Sequence, residues 1–303
     1  MLTVLEVIHK TTDYLRAKGI EDARLNAELL LAHLLKVNRL GVYLNYDRPL
    51  DERELEGLRE LIKQRTKRKP LQYIIGRQGF WSLELKVNAN VLIPRPETEL
   101  LVEETLKTVA SSQWSVVREK IRNNSPLTTH HSPLILDLCT GSGCIAIALA
   151  VELPNAMVYA VDKSEAALKV AMENAEEYKV ADRITFLLGN PYQSLQGNHR
   201  FDLIVSNPPY IRSGDINGLQ PEVRDYEPVS ALDGGEDGLE VIRRIITDAP
   251  TYLKEKGWLI LEVGAGQASV VETLIERTGA YTTPSIIKDY SGIERVVKAQ
   301  KIK

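Results

Sequence analysis

Residues 135–146 read Ile-Leu-Asp-Leu-Cys-Thr-Gly-Ser-Gly-Cys-Ile-Ala. The apolar first part predicts a buried strand, the two glycines predict a tight turn, and the apolar end predicts a helix. Residues 158–162, Val-Tyr-Ala-Val-Asp, then predict a second strand that ends in an acid. A strand, a glycine turn, a helix and a second strand in this order predict an α/β fold built on a parallel sheet.

The rest of the chain after Pro133 continues the same alternation of strands and helices. Amphipathic helices are predicted between most of the strands, for example at 165–178 and 237–253. The last two strands are too close together for a helical crossover, so they should form an antiparallel hairpin at the edge of the sheet. The seven predicted strands are 134–138, 157–161, 184–188, 202–206, 258–263, 283–288 and 294–299. This pattern predicts a seven-stranded, mostly parallel sheet with helices on both faces.

The first 70 or so residues predict a small helical bundle instead. Thr3 with Glu6, and Asp51 with Glu54, have the spacing of capping boxes, which open helices. Residues 22–36 should form a helix whose packing face carries Leu25, Leu29, Ala32 and Leu35. The basic run Lys63, Arg65, Lys67, Arg68 and Lys69 is interpreted as a solvated helix end, with contact to RNA or an acidic partner as the alternative.

The middle of the chain sets the predicted domain boundaries. Period-2 alternation between Phe80 and Val87 suggests a hairpin linker, and Pro96 suits the first turn of a helix that runs to about Ala110. Residues 111–132, which include His130 and His131, are polar and poorly patterned and predict a loop or a partly helical insert. We therefore expect a helical domain at 1–72, a hairpin linker at 73–94 and an α/β domain at 95–303.

Composition excludes several functional classes. The 303 residues carry a formal net charge of −3, whereas a protein that grips nucleic acid through its backbone is usually basic. No run of about 18 apolar residues suggests a membrane span, and the N-terminus has no secretory signal pattern. The only two cysteines, Cys139 and Cys144, match neither a disulfide framework nor a metal site. We expect a cytoplasmic protein with no bound metal, no membrane contact and no sequence-specific binding of nucleic acid.

The glycine turn and the acid after it predict a nucleotide-type ligand. Gly141 and Gly143 would let the backbone approach a ligand, and Asp162 could accept hydrogen bonds from both hydroxyls of a ribose. A dehydrogenase shares this pattern, although the spacing from Asp137 through Cys139 favours a methyltransferase motif. Asn190 ends a third strand, where it could bond an adenine edge or serve only as a turn residue.

Residues 201–211, Phe-Asp-Leu-Ile-Val-Ser-Asn-Pro-Pro-Tyr-Ile, are the most informative stretch for function. Two prolines cannot continue a central strand, so the chain must leave the sheet at its ligand-binding edge. A planar NH2 group needs two acceptors, which the Asn207 side-chain oxygen and the Pro208 carbonyl can supply. The Tyr210 ring can stack on the flat face of an amide. This combination indicates methylation of an amide-type nitrogen.

With these motifs in view, the chain resembles the protein-(glutamine) methyltransferase family called HemK or PrmC. The resemblance spans nearly the whole chain and also includes residues 70–76, Arg-Pro-Glu-Thr-Glu at 95–99, Gly-Gly-Glu-Asp-Gly-Leu at 234–239 and Glu-Val-Gly at 262–264. It implies a Rossmann-like class I methyltransferase domain that uses S-adenosyl-L-methionine, and a helical N-terminal domain that holds the substrate. The implied substrate is the glutamine of the Gly-Gly-Gln motif in class 1 peptide-chain release factors, methylated at N5.

The site residues follow from the motifs and the resemblance together. The residues expected to bind the cofactor are Asp137, Cys139, Thr140, Gly141, Ser142, Gly143, Asp162, Asn190, Pro191 and Asn207. The catalytic residues would be Asn207, Pro208 and Tyr210, which together with Pro209 would also hold the substrate glutamine. Cys139 stands where many methyltransferases have glycine, so we expect a backbone shape there that a side chain allows.

Three other functions compete with this one. An adenine-N6 methyltransferase uses the same four-residue motif, but it would normally carry a basic target-recognition segment. A methyltransferase that acts on a glutamine of a ribosomal protein is hard to separate from the first reading. A non-catalytic assembly module that kept the fold is disfavoured by the intact motif at 207–210.

Overall fold

The computed structural model of the chain describes residues 2–111, 132–192, 195 and 199–302. Two compact units are present: Met1–Arg77 with Gln220–Tyr226, and Gln78–Leu219 with Glu227–Lys303. The predicted boundary after residue 72 stays a prediction. Most of the predicted loop at 111–132, with its two histidines, lies outside the described residues.

The first unit consists of helices, which are numbered here along the whole chain. They are α1 (Val4–Ala17), α2 (Ala23–Leu35), α3 (Arg39–Leu44), α4 (Glu52–Thr66), α5 (Leu71–Ile75) and the short α9 (Pro221–Arg224). Both predicted capping boxes are confirmed, since Thr3 and Glu6 bond each other's backbone N–H groups, as do Asp51 and Glu54. The apolar core of this unit is formed mainly by α1, α2 and α4.

The predicted face of α2 is confirmed only in part, because Ala32 is buried while Leu29 and Leu35 are partly buried against the core. Leu25 is 37% exposed, whereas the buried positions include Asn26, Ala27, Leu30 and Leu31. Leucines occur around most of the circumference of α2, so the sequence pattern does not define one face. The small Ala27 suits close packing with α1, and this tertiary contact selects the buried face.

The interpretation of the basic run as a solvated helix end is wrong for one residue. The Arg65 side chain is only 8% exposed, and its guanidinium donates to Glu222 at 3.0 Å and to Asn26 at 2.8 Å. Arg68 also pairs with Glu222, at 3.3 Å. A buried guanidinium needs a charged partner, and here the partner comes from a segment far along the chain.

The second unit contains a seven-stranded sheet in the order β5-β4-β3-β6-β7-β9-β8 and a separate pair, β1-β2. The strands are β1 (Arg77–Phe80), β2 (Leu83–Lys86), β3 (Leu134–Leu138), β4 (Met157–Asp162), β5 (Ile184–Leu188), β6 (Phe201–Ser206), β7 (Leu253–Glu262), β8 (Ser285–Lys288) and β9 (Glu294–Gln300). Strands β3 to β7 pair in parallel, and β9 pairs antiparallel with both β7 and β8. The predicted sheet and its edge hairpin are therefore confirmed.

Helices cover both faces of this sheet, as predicted. They are α6 (Thr98–Ser111), α7 (Cys144–Glu152), α8 (Glu165–Glu177), α10 (Glu240–Tyr252) and α11 (Ala268–Thr278). Alternate residues of β3 enter different cores, Ile135 on one face and Leu136 on the other. The strand at the centre is thus buried on both sides, which explains its continuous apolar run.

The strand order reverses beside β3, which pairs with β4 on one side and with β6 on the other. The carboxyl ends of parallel strands lie at one edge, and a reversal of this kind opens a crevice there. The glycine turn after β3 and the proline turn after β6 therefore reach the same crevice. Among the described residues, no helix is long and apolar enough to cross a membrane.

Candidate active site

A cavity of about 480 Å³ lies at this edge of the second unit. Its wall is formed by backbone and side chains that follow β3, β4, β5 and β6. The predicted site residues in the wall are Cys139, Gly141, Asp162, Asn190, Pro191, Asn207 and Pro209. The fold thus brings the glycine turn and the proline turn to one cavity, although about 65 residues of sequence separate them.

The glycine turn has a left-handed backbone at three positions. Gly141 has φ +56° and open space where a Cβ would point, while at Gly143, with φ +80°, a Cβ would lie 3.0 Å from the Ala171 Cβ. Cys139 also has a positive φ, +61°. L-residues can adopt this left-handed region at a cost of about 1–2 kcal/mol, so the backbone of Cys139 is strained but still allows a side chain. The neighbouring hydrogen bond from Thr140 N to Val161 O, 3.1 Å, helps to hold the strained turn.

Two acids stand at the base of this turn. Asp162 ends β4 and accepts hydrogen bonds from the backbone N–H groups of Gly141 and Ser164, both at 2.9 Å. Burial raises the pKa of Asp162 above its ordinary value, and these two backbone donors oppose that rise. Because each carboxylate oxygen can accept more than one hydrogen bond, Asp162 keeps acceptor capacity toward the cavity.

Asp137 is fully buried beneath the turn and not in the cavity wall. The Thr140 hydroxyl donates to its Oδ2 at 2.6 Å, while Oδ1 has no hydrogen-bond partner among the described residues. Burial raises the pKa of Asp137 to about 7. Within the described chain, Thr140, Ser142 and Gly143 also lie outside the wall, and they shape the turn from below.

The proline turn begins where β6 ends, and every residue of β6 is buried. The Asn207 side chain lies at the cavity wall, and its Nδ2 donates to the Thr98 hydroxyl oxygen at 2.9 Å. Pro208 and Pro209 are buried. After the turn, the Ile211 N–H donates to Leu232 O at 3.0 Å, so the chain that leaves the sheet is held by backbone hydrogen bonds.

Tyr210 contacts the end of β7 and the residues that follow it, and its predicted stacking on a substrate amide stays a prediction. Its hydroxyl lies 3.5 Å from Glu262 Oε1, and a Cβ added to Gly264 would approach its ring to 3.1 Å. Its carbonyl accepts a hydrogen bond from Gln267 Nε2 at 2.9 Å. Among the described residues, Pro208 and Tyr210 are outside the lining of the cavity.

Several wall residues had no predicted role. They are Asn90 to Leu92, Lys163, Ser164, Ala167, Ser213, Pro228, Ser230, Ala231, Asp233 to Glu236, Glu240, Val241 and Arg244. The glycine-rich stretch 234–239 was visible in the sequence as part of the resemblance, and it packs so tightly on the proline turn that a Cβ on Gly234 would lie 2.8 Å from Pro209 O. The other segments carry no local signal, because only the fold brings them to the cavity.

Within residues 2–111, 132–192, 195 and 199–302, no cluster of three or more His, Cys, Asp or Glu side chains could hold a metal ion. Burial raises the pKa values of the Cys139 and Cys144 thiols to about 12, so neither cysteine provides a ready thiolate.

Comparison with known proteins connects this geometry with a family. A family model described as the PrmC N-terminal domain matches residues 6–76, and one described as the methyltransferase small domain matches residues 124–219. The chain is 45% identical to the release factor glutamine methyltransferase of Geobacter sulfurreducens, over 97% of this chain and 95% of that protein. It is 39% identical to the protein of the same name from Rhodopirellula baltica, over 99% and 96%.

The fold is also found in solved structures. A methyltransferase from Pyrococcus furiosus is similar with a TM-score of 0.51 and 16% identity, over 74% of this chain and 92% of that chain. This likeness supports the methyltransferase fold, and the sequence relatives identify the family within that fold. By its similarity over nearly its full length, the chain belongs to the family of release factor glutamine methyltransferases.

Proposed function

We propose that this protein transfers a methyl group from S-adenosyl-L-methionine to the N5 side-chain amide of the glutamine in the Gly-Gly-Gln motif of class 1 release factors. The proposal depends on one observation: Asn207 and the turn at Gly141 line the same cavity. The names of the full-length relatives support the choice of substrate. In this proposal, residues 1–72 hold the release factor and 73–94 link them to the methyltransferase domain at 95–303.

The cavity residues fit the proposed cofactor. A volume of about 480 Å³ is in the range that holds a ligand of nucleoside size. The space above Gly141 lets the backbone approach the ligand, and Asp162 can accept from ribose hydroxyls. When bound, S-adenosyl-L-methionine would supply an electrophilic methyl group on a sulfonium; the S–CH3 bond would break to leave a neutral thioether, and the methylated nitrogen would lose one proton to water. Asn190 and Pro191 line the wall where the adenine would lie, and the unpartnered Oδ1 of Asp137 suits an indirect contact with the ammonium end.

The chain's own residues explain how a poor nucleophile can react. An amide nitrogen shares its lone pair with the adjacent carbonyl, so it needs activation. The Asn207 Oδ1 and the Pro208 carbonyl would each accept one hydrogen of the substrate NH2, which returns electron density to nitrogen. The rigid prolines limit the motion of both acceptors, so much of the rate would come from orientation. Asn207 would also face the cofactor, because its side chain lies in the cavity wall.

Tyr210 would complete the substrate site from its present position. Its ring lies next to Gly264 and is held through the carbonyl contact with Gln267. In this proposal the Tyr210 ring stacks on the amide of the substrate glutamine and does not contact the cofactor. Burial raises the pKa of Tyr210 far above its usual value, so this hydroxyl stays protonated and is no general base.

The direct test measures methyl transfer from labelled cofactor to a purified release factor. Transfer should depend on the Gly-Gly-Gln glutamine and should be absent when that residue is replaced. Duplex DNA and ribosomal proteins, offered separately, test the two competing methyltransferase functions. Efficient labelling of DNA, or of the release factor without its glutamine, would contradict the proposal.

Two variants test the proposed residue roles. Asn207→Ala should fold normally and lose roughly 10²–10³-fold in turnover, the loss expected when one preorganised polar partner is removed. Asp162→Ala should mainly weaken cofactor binding, measured by calorimetry. Asp182→Ala, at an exposed position outside the cavity wall, serves as the control and should behave like the wild type. Wild-type turnover in the Asn207 variant, or unchanged cofactor affinity in the Asp162 variant, would refute the respective role.

A further inference from the structure

The NH2 group of the Asn207 side chain is hydrogen-bonded to a buried threonine. Thr98 is the first residue of α6 and is only 2% exposed. Its hydroxyl oxygen accepts a hydrogen bond from Asn207 Nδ2 at 2.9 Å. Because the NH2 side of the amide is engaged by Thr98, Oδ1 is the side left for another ligand.

A threonine hydroxyl alone would not decide this orientation. It can donate as well as accept, so it could equally bond the oxygen of a flipped amide. The neighbouring carboxyl resolves this ambiguity. Glu262, the last residue of β7, is fully buried, and its Oε2 has no hydrogen-bond partner among the described residues.

The Tyr210 hydroxyl lies 3.5 Å from Glu262 Oε1, and the Thr98 side chain also influences this carboxyl. Burial raises the pKa of Glu262 to about 7, while hydrogen bonding from the Thr98 side chain opposes that rise. An ionised carboxylate only accepts hydrogen bonds. When Glu262 is ionised, it would accept the Thr98 proton, which would leave the Thr98 oxygen free to accept from an NH2 group.

We propose that Thr98 and Glu262 are positioning residues that hold the Asn207 amide with Oδ1 facing the substrate nitrogen. This inference rests on the proposed function, since the oriented oxygen is the one that would accept from the glutamine NH2. A flipped amide would present N–H donors to an NH2 group, and two donors cannot bond each other. The pair thus acts on the reaction through Asn207 and without touching the substrate.

The kinetic test compares three substitutions at one position. Thr98→Val keeps the shape but loses the hydroxyl, and we expect kcat to fall by about 10- to 100-fold, as misplacement near a reacting centre does. Thr98→Ser keeps the hydroxyl and should stay within about threefold of the wild type. Thr105→Val is the matched control, because Thr105 is also buried on α6 and its hydroxyl donates only to Leu101 O among the described residues.

The affinity for cofactor distinguishes a loss of Asn207 positioning from a general loss of the folded structure. Calorimetry should show that Thr98→Val binds S-adenosyl-L-methionine within about threefold of the wild type, while kcat is lost. Glu262→Gln should fall between the two threonine variants in kcat, since a glutamine amide can either accept from Thr98 or donate to it. Equal losses in Thr98→Val and Thr105→Val would show that both act only through stability and would overturn the proposal.

A spectroscopic readout keeps this test independent of the substrate. The side-chain NH2 resonances of Asn207, identified by their loss in Asn207→Asp, report the hydrogen bond to Thr98. We expect Thr98→Val to shift them and to speed their hydrogen exchange, and Thr98→Ser to leave them nearly unchanged. If the wild type does not methylate release factors, the proposed function fails; if these resonances are the same in Thr98→Val, the positioning role fails.

Discussion

Replacement of Gly238 by alanine tests how the chain after the proline turn is held. Gly238 has φ +76°, and a Cβ there would lie 2.5 Å from the Tyr210 carbonyl oxygen and 2.9 Å from Gln267 Nε2. Both neighbours belong to the hydrogen bond that holds the Tyr210 carbonyl. The added methyl group must therefore displace the Tyr210 backbone as well as the Gln267 side chain.

The size of the effect follows from three contributions. The left-handed backbone costs an alanine about 1–2 kcal/mol, and the loss of glycine entropy in the unfolded chain returns about 0.4–1 kcal/mol. Overpacking against rigid neighbours adds about 1–3 kcal/mol. We expect a loss of about 2–4 kcal/mol in the free energy of unfolding, which corresponds to a fall in Tm of about 4–16 °C at 2–4 °C per kcal/mol.

Gly266→Ala is the matched control for this prediction. Gly266 has φ +81° and no atom within 4 Å of an added Cβ, so it carries the backbone strain without the contact. Calorimetric unfolding of the two variants side by side should show a loss at least 1 kcal/mol larger for Gly238→Ala, along with slower methyl transfer. Equal losses in the two variants would refute the reasoning that the glycine is required by close approach to Tyr210.

Two further predictions concern buried charges. Glu222→Ala should destabilise the helical unit by about 3–5 kcal/mol because Arg65 keeps a buried charge without its partner, whereas Glu60→Ala, whose pair with Lys63 is exposed, should cost under about 1 kcal/mol. Hydrogen exchange in α4 would measure both, and similar protection in the two variants would contradict this. Burial raises the pKa of Glu262 to about 7, and the groups that face it are Thr98, Tyr210, Arg295 and Glu97. The stabilising contribution of Glu262 is therefore complete below pH 4.5 and is lost as the pH rises through 7. Urea unfolding at pH 6 and pH 8 should show a difference of about 1 kcal/mol that shrinks in Glu262→Gln; an unchanged difference would assign the effect to other groups.

Much of the fold could be predicted from local sequence. The strands around Asp137 and Asp162 stand out because central parallel strands are apolar throughout, and the turns between them contain glycine or proline. The capping boxes at Thr3 and Asp51 are recognisable because both partners lie within one helical turn. Signals of this kind need no knowledge of distant residues.

Contacts between distant residues account for what the sequence did not predict. The buried face of α2 depends on which helix packs against it, and the partner of Arg65 lies 157 residues away. The positive φ of Cys139 could not be predicted, because hydrogen bonds to another strand hold the turn in a shape that cysteine alone disfavours. In all three cases tertiary contacts outweighed a local preference of about 1–2 kcal/mol or less.

By itself, the sequence determined the α/β class, the positions of the central strands and the chemistry offered by Asn207, Pro208 and Asp162. These follow from residue types and short spacings, which act through backbone dihedral angles and burial within a few residues. Only the tertiary structure decided which of those groups share a cavity, and that the Asn207 amide is hydrogen-bonded to Thr98. The physical reason is that a hydrogen bond between residues 109 positions apart has no local cause: it exists only when the sheet has brought both ends together.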